Sequence, residues 1–97
     1  MQIKHAFGKA FRLIRKYKKL TLLGFANVSG RTYIGAIEKG VKSPTLEKID
    51  ELGKFLDIHP ITMLYLTYVN DIESKSFETL SKRVKSEFTE IQKFKQE

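Results

Sequence analysis

The sequence predicts an all-α fold: five helices packed as one small domain, followed by an additional C-terminal amphipathic helix. Apolar residues recur at intervals of three and four along almost the whole chain. No stretch alternates apolar and polar residues as a half-buried strand does. Turn-forming clusters, Asn27-Val28-Ser29-Gly30 and the segment from Gly40 to Pro44, punctuate the apolar runs.

The elements follow in order. Phe7, Phe11, Ile14 and the stem of Lys18 lie on one face of a first helix, at spacings of four, three and four. Leu20 to Ala26 is a short apolar segment closed by the turn cluster at 27–30. A third helix spans about 31–39, with Tyr33, Ile34 and Ile37 facing inward, and Gly40 fits the left-handed position that closes it. Ser43-Pro44 is expected to open a fourth helix: Ser can accept from first-turn amides, and Pro at the first position forfeits no bond. Leu46, Ile49, Leu52 and Leu56 are its apolar stripe. The fifth helix begins at Pro60 behind His59 and carries Ile61, Met63, Leu64, Leu66 and Val69.

From about residue 71 the texture changes. Phe77, Leu80, Val84, Phe88, Ile91 and Phe94 recur every three or four residues among evenly mixed charges, the pattern of a long amphipathic helix. Such a helix is not stable alone in water, so its stripe must fold back on the domain or meet another chain. A strict heptad would run Phe77, Leu80, Val84, Glu87, Ile91, Phe94, with the Glu as its one imperfection. A dimer contact with a second copy is preferred. The division expected is therefore a domain over 1–69 and a dimerisation or docking element over 70–97.

Charge points to the partner. The formal net charge is +7, yet residues 71–97 carry six basic and six acidic side chains, so the excess lies in the first seventy. Lys4, Lys9, Arg12, Arg15, Lys16, Lys18 and Lys19 occur in the first twenty residues without one acid. A one-sided field of this kind attracts polyanions, which puts nucleic acid ahead of a membrane surface or an acidic protein. The chain has no Cys, which excludes disulfides and thiolate metal sites. The apolar stretch at 61–69 is far short of the ~20 residues a membrane span needs, and the basic N-terminus lacks the apolar run of a secretory signal. A cytoplasmic, nucleoid-associated protein without membrane contact is expected.

Two helices joined by a tight turn, the second crossing the first, fit the major groove of DNA. The residues at the leading end of the second helix then reach the base edges. Here they are Arg31, which can donate twice to guanine, and Thr32, which can meet a thymine methyl or a phosphate. Gly35 and Ala36 on the next turn are small enough to allow close approach. Lys39, Lys42 and Ser43 lie just beyond, where the chain would skirt the phosphates.

The run Arg31-Thr32-Tyr33-Ile34-Gly35-Ala36-Ile37-Glu38-Lys39-Gly40, followed by Ser43-Pro44-Thr45-Leu46, resembles the signature of the Cro/cI-type (XRE) helix-turn-helix family. Phe7-Gly8-Lys9, Arg12, Arg15-Lys16 and Leu20-Thr21 extend the resemblance through the first helix, and the match reaches Leu64. It implies a five-helix lambda-repressor-like DNA-binding domain, with Arg31, Thr32 and Ala36 facing bases; Gly35 is counted with them from its place on the same helical turn. Lys39 and Lys42 would lie near phosphates, and Glu38 would pair structurally with Arg15. The acid-free first helix adds Lys4 and Lys9 as expected phosphate contacts, and Thr21 and Ser43 complete that set. Two departures stand out: Leu22 replaces the usual Gln after Leu-Thr, and the span from Leu20 to Tyr33 is shorter than usual. A shifted second helix burying Leu22, Leu23 and Ala26 is the expectation.

Other readings are set aside on chemistry. Tyr33 reads as core, and Glu38 has no second acid or base beside it for catalysis. His5 and His59 show no ligand spacing, so no metal is expected. Gly35 to Ser43 brushes a phosphate-loop pattern, but Val41 displaces the Lys by one place and the segment follows a helix rather than a strand. No nucleophile is paired with a base, and no cofactor is implied. The sequence thus reads as a non-enzymatic transcriptional regulator, by preference a repressor, binding double-stranded near-palindromic DNA as a homodimer. The alternative is an antitoxin or adaptor whose C-terminal helix binds a protein partner such as a toxin, with DNA secondary.

Overall fold

The computed structural model describes residues 2–25, 30–69 and 76–96, and among them every regular element is helical. Helix α1 spans Ile3–Tyr17, α2 Arg31–Glu38, α3 Leu46–Leu56, α4 Pro60–Thr67 and α5 Phe77–Gln96, with a single 3₁₀ turn over Leu22–Phe25 between α1 and α2. Helix α1 packs on α2 and α4, the 3₁₀ turn on α2, and α3 on α4.

Side chains from all five of these elements meet in one core. Phe7, Phe11 and Ile14 of α1 are buried with Phe25, Ile34, Ile37, Ile49, Leu52, Leu56 and Met63. Each such side chain contributes roughly 1.5–3 kcal/mol relative to leaving it in water. Three aromatic rings chain through this core and a fourth, the 42 % exposed Phe55, extends the chain to the surface, with centroid separations of 6.2 Å for Phe7–Phe11, 5.6 Å for Phe11–Phe25 and 5.2 Å for Phe25–Phe55.

The 3₁₀ turn corrects the expected second helix. Leu23 is 66 % exposed, whereas Phe25 is fully buried and Leu22 packs partly against the core. At three residues per turn, Leu22 and Phe25 share one face and Leu23 is turned outward, so Phe25 takes the core position intended for the leucine. Ala26 lies outside the described residues.

The fourth predicted helix begins later than Ser43-Pro44. Thr45 is the cap, its hydroxyl accepting from the Lys48 amide at 3.1 Å, and Leu46 opens α3. Ser43 and Pro44 instead line a shallow cleft with Ile3, Lys4 and Phe7 of α1. Leu46, assigned to the apolar stripe, is 78 % exposed because it sits beyond the edge of the core, which begins one turn later at Ile49. Asp57, at φ 55°, closes this helix. At α4, His59 Nδ1 accepts from the Ile61 amide at 3.0 Å and Pro60 occupies the first position. Of the residues assigned inward on this helix, Met63 is fully buried, Leu64 and Leu66 pack partly, and Ile61 is half exposed.

Helix α5 opens on Ser76, whose hydroxyl accepts from the Thr79 amide at 3.1 Å. None of its described residues is buried. It approaches the domain through Phe77, whose ring lies 5.0 Å from that of Tyr65 on α4.

Candidate nucleic-acid interface

Helix α2 separates its two sides cleanly. Ile34 and Ile37 have no solvent exposure, while Arg31 and Thr32 at its leading end are exposed. Gly35 and Ala36 are half-buried, and a Cβ built at Gly35 would meet nothing within 4 Å. Gly30 precedes the helix at φ 81°, a backbone conformation that L side chains rarely adopt, and it provides no side-chain cap for the first-turn amides.

The far end of α2 is fixed by a Schellman closure. Gly40, at φ 76°, donates to the Ile37 carbonyl at 3.0 Å, and Val41 donates to Ala36 at 2.9 Å. This turn sends the chain away from the helix axis and leaves Lys39 and Lys42 exposed beside it. The Lys42 ammonium lies 5.7 Å from the Tyr33 ring centroid, and that of Lys48 on α3 lies 5.6 Å from it. Tyr33 is half-buried, packs against the core and serves as a platform for two cations.

An ion pair locks α2 onto α1. The Arg15 guanidinium donates to both Glu38 carboxylate oxygens, at 2.6 and 3.0 Å, and its third nitrogen donates to the Leu20 carbonyl at 2.8 Å. Both side chains are nearly enclosed, at 12 % and 8 % exposure. The hydrogen bonds to Glu38 raise the Arg15 pKa, opposed in part by burial and supported by the carboxylate's charge. Within the first 42 residues there are ten Lys and Arg and one acid, Glu38, so this pair neutralises the only negative side chain of that stretch. The outward charge of α1 and α2 is therefore all positive.

The remaining residues singled out by sequence fall on several elements. Lys4 is half-buried and shares a cleft with Ser43, which brings the start of α1 beside the loop after α2. Lys9 is exposed on α1, and Thr21 is exposed at the entry to the 3₁₀ turn, its carbonyl accepting from Gly24 at 3.0 Å. Phe77, Val84, Phe88, Ile91 and Phe94 are exposed on α5, and Leu80 is half-buried. Lys48 is the side chain that sequence reasoning did not single out. It sits in an ordinary mixed-charge run, three residues before its salt-bridge partner Glu51, and only the Tyr33 ring reveals its place beside Lys42. Among the described residues no group of His, Asp or Glu could hold a metal, and no helix is long and apolar enough to cross a membrane.

Comparison with known proteins agrees with this geometry. The helix-turn-helix family matches residues 11–62, just over half of the chain, from Phe11 of α1 into the start of α4. The control protein C.BamHI of Bacillus amyloliquefaciens is 33 % identical over 76 residues, a span covering 75 % of this chain and 94 % of that protein.

Proposed function

The chain belongs to the XRE-type helix-turn-helix family of DNA-binding transcriptional regulators, and from that premise we propose that it acts as a homodimer on a near-palindromic operator, as a repressor. The family is one of regulators rather than an enzyme class. A two-fold dimer would set its two α2 helices about 34 Å apart, one turn of duplex. Repression needs nothing more than an occupied operator that excludes other proteins.

In this reading the domain over 1–69 binds DNA and the element over 70–97 makes the dimer contact. Arg31 and Thr32 read base edges, while Gly35 and Ala36 let the backbone come close. Lys4, Lys9, Thr21, Lys39, Lys42 and Ser43 hold phosphates, joined by Lys48. The observation that carries the reading is the polarity of α2. Its apolar side is completely enclosed, and its outward side presents Arg31 and Thr32 from a stretch whose single acid is already paired.

The test is selection of a duplex from a random library, followed by binding of variants to that duplex. Arg31→Ala should weaken specific binding by about 1–3 kcal/mol and relax base preference at one position of each half-site. An unchanged sequence preference in this variant would remove Arg31 as a reader. Lys42→Ala should behave differently. It should weaken all duplexes alike and flatten the slope of log K against log salt by about 0.9, the value of one phosphate contact. A sequence-selective loss at Lys42 would contradict the phosphate role.

A further inference from the structure

The two halves of α5 have different surroundings. In the first half, Phe77, Leu80 and Val84 form with Ile61, Leu64 and Tyr65 of α4 the walls of two adjoining apolar grooves of about 350 and 450 Å³. In the second half, Phe88, Ile91 and Phe94 are 60, 66 and 78 % exposed. We propose that the grooves receive the second half of α5 from another copy of this chain, the two α5 helices running antiparallel about a two-fold axis near Ser86. This deepens the homodimer reading and rests on it.

Three observations select an antiparallel second copy. The apolar stripe is close to palindromic: reversed about the Lys85–Ser86 bond, it sets Phe77 against the partner's Phe94 and Leu80 against the partner's Ile91, with Val84 opposite the partner's Glu87 and one place from the partner's Phe88. Phe94 and Ile91 thus fall opposite Phe77 and Leu80 of the grooves, Phe88 lies one place from Val84, and the exchange is reciprocal, as a two-fold contact requires.

The order of charges is the second. Along α5 it runs Glu78, then Lys82, Arg83 and Lys85, then Glu87 and Glu90, then Lys93 and Lys95. Reversal places every block against one of opposite sign, whereas a parallel pair places each block against its own sign. Exposed pairs are individually worth little, so this pattern sets direction more than affinity.

Glu87 is the third. It occupies a seam position of the heptad, and in a parallel pair like positions face each other, so two Glu87 carboxylates would be driven together while losing water. In the antiparallel pair Glu87 faces Val84, beside the partner's Arg83. Its bond to Arg83 of its own helix, at 3.0 Å, keeps the charge compensated.

The native chain contains no cysteine, so introduced thiols report orientation without background. Leu80→Cys and Ile91→Cys are made separately in the full chain, then oxidised alone and after co-refolding as an equal mixture. Position 80 pairs with the partner's position 91, so two copies of either single variant hold their thiols about 16 Å apart, beyond disulfide reach. About half of the chains in the mixture, the statistical share of mixed dimers, should shift to covalent dimer on a non-reducing gel, while each variant alone stays a single chain. Covalent dimers from either variant alone, or none from the mixture, would overturn the arrangement. Sedimentation of the native chain separates the two levels. A dimer whose mixture does not cross-link retains the homodimer reading and discards the antiparallel α5. A chain that binds its selected duplex as a monomer, or pairs only with a different protein, discards both.

Discussion

Replacing Glu38 by alanine should lower the stability of the domain by about 3 kcal/mol, the lower end of what breaking a buried ion pair costs. The carboxylate accepts two charge-assisted bonds from Arg15, whose side chain is 12 % exposed in the intact pair, and its removal leaves the guanidinium bonded to the Leu20 carbonyl without its counter-charge. For a domain of this size the melting temperature should fall by roughly 12 °C or more, read by far-ultraviolet circular dichroism. A fall under about 4 °C, equivalent to less than 1 kcal/mol, would show the pair to be no more than a surface contact. A double-mutant cycle with Arg15→Met sharpens the test, because the second substitution removes the orphaned charge and should recover part of the loss. Acidity supplies no shortcut through Arg15. A folded pKa raised above the unfolded value gives stability that is complete below the unfolded value and lost only as pH rises through the folded one. For an arginine that window lies above any pH at which a binding assay is run.

The second large effect is at Gly8. A Cβ there would stand 2.5 Å from the Ile37 carbonyl oxygen and 2.7 Å from that of Glu38, both backbone atoms in the last turn of α2. A side chain could swing aside; backbone carbonyls in the last turn of a packed helix, that of Ile37 also held by the Gly40 amide, cannot. Gly8→Ala gains about 0.5–1 kcal/mol of helix preference but forces α1 and α2 apart, an overpacking cost of about 1–3 kcal/mol or more. We expect net destabilisation, larger still for Gly8→Val, visible as a lower urea midpoint. The same change at Gly35 is the control. A Cβ at Gly35 meets nothing within 4 Å, so Gly35→Ala should raise stability by about 0.5–1 kcal/mol. Equal effects at the two glycines would mean that the close approach of α1 to α2 is not what Gly8 provides.

Much of the fold was legible because its signals are local. The spacing of Phe7, Phe11 and Ile14, of Ile34 and Ile37, and of Ile49, Leu52 and Leu56 places each set on one helical face, and all eight are buried. His59 and Pro60 mark the start of α4, and Gly40 the end of α2, through backbone chemistry that needs no distant partner. The errors lie where two local signals competed. Ser43-Pro44 and Thr45 are both adequate helix openings, and the choice of Thr45 follows from Ser43 and Pro44 lying against α1. Leu22, Leu23 and Phe25 all qualify as core residues, and only the ring neighbours Phe11 and Phe55 select Phe25.

The amino-acid order alone therefore determined the helical class and a basic first half, because periodicity, capping and net charge are properties of neighbours along the chain; the regulator family was legible through the resemblance carried by the run from Arg31 to Leu46. Tertiary structure decided that Leu23 faces water, that Gly8 must lack a side chain, and that Tyr33 gathers Lys42 and Lys48. Those outcomes depend on contacts between residues far apart in sequence. Volume and orientation at such contacts are set only when the helices meet.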